Sequence, residues 1–425
     1  MNNRLLRWAA PAWIAIAGCA VTGTGKGSQG GTGQSGKAQV IIGTHIEMTA
    51  PEKEKCQRDL EKQGVAYSRE VFFDAIKNDR ESIVQTFLTC GMSPETLDPA
   101  ESDAFGPLED KDRWSALGWA AWSGAKNAIR LLAAAHADVN RQSGRGQVSP
   151  LVWAAAANDP AAVQALLGAG AAVDGAAAGD ETALVRAARF GCDKVIIPLL
   201  AARADANRSA NVCPFLCSYP SASVGCQQAT PLMIAIAAWE CGFDQGLALS
   251  TVRQLIAGGA NINATMPTGE TALTWAANLL RDQDDRFAQV IIEGGADLKA
   301  KQNGIALIRA AKNGRPALVQ KLIDGGVDVN AGAGGDGPPL VTVLAATDSG
   351  LHDHDTLYNL KFPDTAVAQL WKGRALAACA LLKAGADVNL KNRENATAVT
   401  LLKKLGYASV AAFQKKSCAL PRRLP

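Results

Sequence analysis

A short opening motif recurs along this chain at nearly constant spacing, and that recurrence restricts the fold more than any other feature. It reads Ser115-Ala116-Leu117, Ser149-Pro150-Leu151, Thr182-Ala183-Leu184, Thr230-Pro231-Leu232 and Thr271-Ala272-Leu273. Degenerate copies stand at Ile305-Ala306-Leu307, Pro338-Pro339-Leu340 and Thr397-Ala398-Val399. Four of the seven intervals between third positions are 33 or 34 residues, and the longer ones hold insertions. A period of this length marks a stack of like units. Each unit fails to cover its own apolar face, and stacking makes the core continuous.

A second marker closes the units: His136-Ala137-Asp138-Val139-Asn140, Gly259-Ala260-Asn261-Ile262-Asn263, Gly295-Ala296-Asp297-Leu298, Gly326-Val327-Asp328-Val329-Asn330 and Gly385-Ala386-Asp387-Val388-Asn389. Between the markers lie two amphipathic runs, such as Trp119-Ala120-Ala121 followed by Ile129-Arg130-Leu131-Leu132. Ser or Thr at the first position caps a helix by accepting from its free amides. Pro fits the first helical turn, where its missing donor costs nothing. Gly after the second run takes a left-handed conformation that ends the helix. His136 stands in that place in one unit, which implies a structural role for it. Asp and Asn sit in the turn, where their side chains bond local backbone.

Both markers, in register, resemble the ankyrin repeat, T-P-L-H-x-A then L-L-x-x-G-A-D-V-N. The resemblance covers about residues 67 to 416 and implies an all-α solenoid of stacked helix-turn-helix units with short β-hairpin-like fingers. We count nine units, the first (Val71 to Gly91) and the last (Ala396 to Lys416, lysine-rich) being caps. Insertions fall at residues 209–229, in a finger, and at 240–250 and 347–373, between the helices of a unit. A lead-in segment occupies 51–66 and a tail 417–425.

The front of the chain reads as an export signal. Arg4 and Arg7 precede an apolar run, Trp8 to Ala17, of about ten residues, half the roughly 20 a membrane span needs. Ile16-Ala17-Gly18-Cys19 resembles a bacterial lipobox, so residues 1–18 are expected to be a lipoprotein signal and Cys19 the lipidated residue, the alternative being ordinary cleavage without lipid. Several acyl chains together, at about 0.8 kcal/mol per buried methylene, anchor stably. By the same resemblance, Ala20 rather than Asp favours the outer membrane of a Gram-negative cell, facing the periplasm. Residues 19–50, rich in Gly, Ser and Thr, bury too little surface to order and are expected to be a flexible tether.

Charge is nearly balanced at +3, so no field attracts nucleic acid or a membrane surface. Gly31 to Lys37 imitates part of a phosphate loop. Ala38 replaces its Ser or Thr, and no strand precedes it, so no nucleotide cofactor is expected. With only four histidines, no catalytic triad assembles, and the chain is not expected to be an enzyme. Asp and Glu are spread through turns and outer faces, as solvated groups are. The cluster His352-Asp353-His354-Asp355 lacks a third and fourth ligand at a recognisable spacing, leaving His352 and His354 as weak metal candidates.

Nine cysteines follow Cys19, and export favours disulfides. Cys213 with Cys226, or Cys217 with one of them, would pair within the finger. Cys192 and Cys241 sit at helix-helix loops of consecutive units and could pair across the stack. Cys56 with Cys90, and Cys379 with Cys418, would tie down the caps, unless Cys90 and Cys379 are simply small buried residues. Spacing alone does not settle connectivity.

In ankyrin stacks the first helices line a concave face, and the position two after the opening Leu points into it. Here that position holds Trp119, Trp153, Arg186, Ile234, Trp275 and Arg309. Nearly one helical turn later come Trp122, Ala156, Arg189, Ala237, Asn278 and Lys312. Trp and Arg dominate interface hot spots, so Trp119, Trp122, Trp153, Arg186, Arg189, Trp275, Arg309 and Lys312 are the candidate binding residues. The alternative is that the tryptophans pack between units as core. The expected function is protein recognition, first as an immunity-type inhibitor of a secreted antibacterial toxin. Two other readings are a periplasmic scaffold or stress-protection factor for a resident envelope protein, and an enzyme with its site at 347–373.

Overall fold

In the computed structural model, which describes residues 49–100, 102–103, 106–107, 113–144, 146–177, 180–211, 228–240, 244–279, 285–332, 337–348 and 364–415, the opening motifs start helices. The hydroxyls of Ser115, Thr182 and Thr271 accept from the amides of Gly118 (3.0 Å), Val185 (3.2 Å) and Thr274 (3.3 Å). Each bond satisfies one of the amides that a helix start leaves without an intrahelical partner. The cysteines Cys19, Cys213, Cys217, Cys226, Cys241 and Cys418, and the histidines His352 and His354, lie outside the described residues, as do the imitation phosphate loop and most of the finger insertion.

The described residues form two compact bodies, divided between Val212 and Cys213. The first holds α1 (Ala50–Lys62), α2 (Arg69–Lys77), α3 (Glu81–Thr89), α4 (Ala116–Ser123), α5 (Lys126–Ala134), α6 (Pro150–Ala156), α7 (Pro160–Gly168), α8 (Ala183–Phe190) and α9 (Asp193–Ala201). From α2 onward they form pairs. First helices α2, α4, α6 and α8 pack in succession, and so do second helices α3, α5, α7 and α9. Fully buried alanines such as Ala120, Ala154, Ala187 and Ala188 let the first helices approach closely. Each second helix buries a stripe at i, i+1 and i+4: Ala128, Ile129 and Leu132, then Ala162, Val163 and Leu166, then Val195, Ile196 and Leu199. A fully buried side chain of this kind contributes about 1.5–3 kcal/mol, so Leu132→Ala would cost roughly 2–5 kcal/mol with its cavity.

The fingers are mostly turns. Strands β1 (Ser102–Asp103) and β2 (Gly106–Pro107) pair antiparallel, with Ser102 opposite Pro107. Among the described residues the other pairings are the isolated bridges Leu97 with Ser115, Ser143 with Val148 and Lys391 with Thr397. The turn residues divide their work more finely than local bonding. Asp138 accepts from the Asn140 amide of its own turn (2.9 Å). Asn140 then reaches onward and accepts from Ala172 of the next unit (2.7 Å). In the second body Asn263 takes the amide of Asp297 (2.9 Å) and Asn330 that of Asp387 (2.8 Å). The Asn of the closing marker thus joins unit to unit. Second helices end in left-handed residues: Gly259 lies at φ 89°, and His136 (65°) and Arg203 (67°) take the same conformation with a side chain present.

The second body holds α10 (Pro231–Glu240), α11 (Gln245–Ala257), α12 (Ala272–Asn278), α13 (Arg286–Glu293), α14 (Gly304–Lys312), α15 (Pro316–Asp324), α16 (Pro339–Asp348), α17 (Asp364–Lys383), α18 (Ala398–Lys404) and α19 (Val410–Lys415). Two expected loops are partly helix. Residues 245–250 form the front of α11, where Asp244 caps Leu247 (3.0 Å). Residues 364–373 form the first half of α17, which therefore reaches α14 as well as α16. Gly373 makes that contact possible, since a methyl group there would overlap the carbonyl of Gly314.

The lead-in segment is also a helix, α1. Thr49 and Glu52 cap it reciprocally, and of its residues Leu60 is buried. A disulfide between Cys56 and Cys90 holds it to the end of α3, with a Cα separation of 5.4 Å. The Tyr67 hydroxyl donates to the Cys90 carbonyl (3.3 Å), and its ring stacks on Phe87 at 5.1 Å. Cys192 and Cys379 are disulfide-bonded too.

Candidate recognition surface

Four indoles meet in the first body. Trp114, in the turn before α4, lies between Trp119 of α4 (ring centroids 4.7 Å) and Trp153 of α6 (4.2 Å), stacked on both. Trp122, one turn beyond Trp119, meets Trp114 (6.4 Å) and Trp153 (5.7 Å) edge-on. Stacked and edge-on pairs at such distances are the geometries aromatic quadrupoles favour. Trp114, Trp119 and Trp122 are half-exposed, whereas Trp153 is 7% exposed. Trp153 therefore acts as the floor of the cluster and the other three as its accessible part.

Cations border the indoles. The Lys77 ammonium sits 3.9 Å from the centre of the Trp119 ring, and the Arg186 guanidinium 5.7 Å from that of Trp153. Both distances fall within the reach of cation–π attraction, about 6 Å. Lys77 also pairs with Asp98 at 3.6 Å. Arg186 and Arg189 of α8 share one carboxylate, Glu181, at 2.7 and 3.1 Å. They flank the Phe190 ring at 5.7 and 5.3 Å. Arg186 is 9% exposed and Glu181 4%. Desolvation lowers the Arg186 pKa from its ordinary value, and the charge of Glu181 partly restores it.

The second body repeats this logic with different parts. Glu270, 6% exposed, accepts from the Trp275 indole (3.3 Å) and pairs with Arg309 of the next unit. Arg309 also donates to the Thr274 carbonyl (3.2 Å). Trp275 and Arg309 are half-exposed, and Lys312 is exposed at the end of α14. Deeper down, Arg315 pairs with Asp285 and donates to the Ala276 carbonyl (2.7 Å).

The structure thus gathers Trp119, Trp122, Trp153, Arg186 and Arg189 on one face of the first body, and Trp275, Arg309 and Lys312 on the second. Three contributors escaped the sequence reading. Trp114 lies one residue before the opening motif, so the repeat register does not point to it. Glu181 and Glu270 were counted among solvated acids and are instead buried. Each precedes the Thr of an opening Thr-Ala-Leu, and that shared Glu-Thr pair is the signal that would have found them. Among the described residues no group of three His, Cys, Asp or Glu side chains is placed to hold a metal ion.

Each body is an all-α stack of helix pairs. Residues 241–333 match the family model described as ankyrin repeats. The ankyrin repeat domain-containing protein SAT10 of Stachybotrys chartarum is 44% identical over 85 residues. That match covers 20% of this chain and only 4% of the relative. A solved ankyrin repeat domain from Acinetobacter baumannii AYE is similar over 53% of this chain and 97% of its own, at 23% identity and a TM-score of 0.39. Residues 241–333 carry ankyrin repeats, which indicate a protein–protein interaction module.

Proposed function

We propose that this chain recognises a partner protein through the indole and arginine face of the first body, and that Trp275, Arg309 and Lys312 form a separate candidate contact surface of the second. One observation carries the reading: three half-exposed indoles cluster with a buried fourth, bordered by cations. Large rigid rings offer contact area at low entropic cost, and Trp and Arg are the residues that concentrate binding energy. The partner is a secreted antibacterial toxin, which the chain holds and neutralises at the cell envelope. The lipobox-like Ile16-Ala17-Gly18-Cys19 supports this setting by implying a lipid anchor at Cys19 facing the periplasm. The disulfide Cys56–Cys90 suits an oxidising compartment.

Contact competition between sister cells tests the role. Cells lacking the protein are expected to be killed by toxin-producing siblings, and the full chain is expected to rescue them. Rescue by the Trp119→Ala, Trp122→Ala double variant should fail despite normal abundance. Survival of the deletion strain in that contest would refute the toxin role, and rescue by the double variant would refute the face.

A further inference from the structure

The patch contains three buried N–H groups with no acceptor: Trp119 Nε1, Trp153 Nε1 and Arg186 Nε. Native proteins pair nearly all such groups, because each orphan is destabilising. All three are donors without a lone pair, so only an acceptor satisfies them. Two of them adjoin, since Arg186 lies over the Trp153 ring, whereas Trp114 stands between Trp119 and Trp153. Charge points the same way. Two guanidinium groups share the buried carboxylate of Glu181, which leaves the trio with one net positive charge, on the side of the more exposed Arg189. A neutral carbonyl would satisfy the donors but not this charge. A carboxylate does both, through charge-assisted bonds.

We propose that the patch formed by Trp153, Arg186 and Arg189 receives the carboxylate of an Asp or Glu side chain on an otherwise apolar segment of the partner protein. The inference rests on the indole face being the contact surface. The orphan donors are covered in the free protein, so admitting the carboxylate requires half-exposed indoles to turn, and their fluorescence reports it.

Random-sequence peptides displayed on phage and selected on the full chain provide the probe. Enriched peptides are expected to carry Asp or Glu at one fixed position beside apolar residues and to quench the tryptophan emission. Changing that acid to its amide should weaken binding about tenfold or more, and Arg189→Gln in the protein should do the same. Arg189 is the safer variant, because it is more exposed than Arg186 and its loss leaves the Arg186–Glu181 pair in place. Peptides that depend on Trp122 but bind equally well as amides would overturn the carboxylate site and leave the contact surface standing. Peptides indifferent to Trp122→Ala, or no enrichment at all, would overturn both.

Discussion

Removing the Glu181 carboxylate tests how the recognition face is held together. Glu181→Ala leaves the Arg186 guanidinium, 9% exposed, without its counter-ion. Stripping one partner from a buried pair costs about 3–5 kcal/mol, because the remaining charge stays desolvated. Arg189 adds little to that figure, since its side chain is 21% exposed and turns to water. The pair as a whole is worth far less than its breakage suggests. Apolar replacement of both partners is often neutral or stabilising, so Glu181→Leu with Arg186→Met should recover most of the loss. Urea unfolding followed by tryptophan emission is the assay, because the indole cluster adjoins Arg186. A loss below about 1 kcal/mol for Glu181→Ala, or a double variant no more stable than the single one, would refute the reasoning.

Three further perturbations separate core from surface. Trp153→Ala should cost about 3–5 kcal/mol as a buried aromatic truncation, while Trp122→Ala should cost under half of that; similar losses in urea titrations would mean that both rings are core. His136→Gly and Arg203→Gly should each stabilise by about 0.5–1 kcal/mol, since both exposed residues hold left-handed backbone; unchanged or lower melting temperatures would contradict this. Cys56→Ser opens a crosslink spanning 34 residues, worth about 4 kcal/mol by chain entropy. Amide exchange should then accelerate first in Ala50–Lys62, and uniform acceleration across the first body would disprove its role as a tied-on cap.

The helix pairs were legible in the sequence because their signals are local. A cap hydroxyl, an apolar stripe and a left-handed turn each act within a few residues, and Ser115, Leu132 and His136 sit where the motifs place them. The helical parts of the insertions were not legible. Residues 245–250 and 364–373 carry no repeat marker, and each becomes the front of a helix that the repeat continues. The tryptophan positions were read from the register, but their burial was not. Trp119 and Trp153 hold equivalent positions, yet one is half-exposed and the other buried, because Trp122 and Arg186 close over Trp153 in addition to Trp114, which stacks on both. Glu181 and Glu270 show the same limit. Their burial depends on arginines that fold brings to them, in the case of Arg309 from 39 residues away.

Site-specific photocrosslinking in the native envelope tests the central claim most directly. A photoreactive residue at position 122, on the indole face, is compared with one at position 197, where Ile197 is 62% exposed on α9. Position 122 is predicted to capture one distinct protein that position 197 does not, and Arg189→Gln should diminish that product. The same products from both positions, or none from position 122, would contradict recognition through this face.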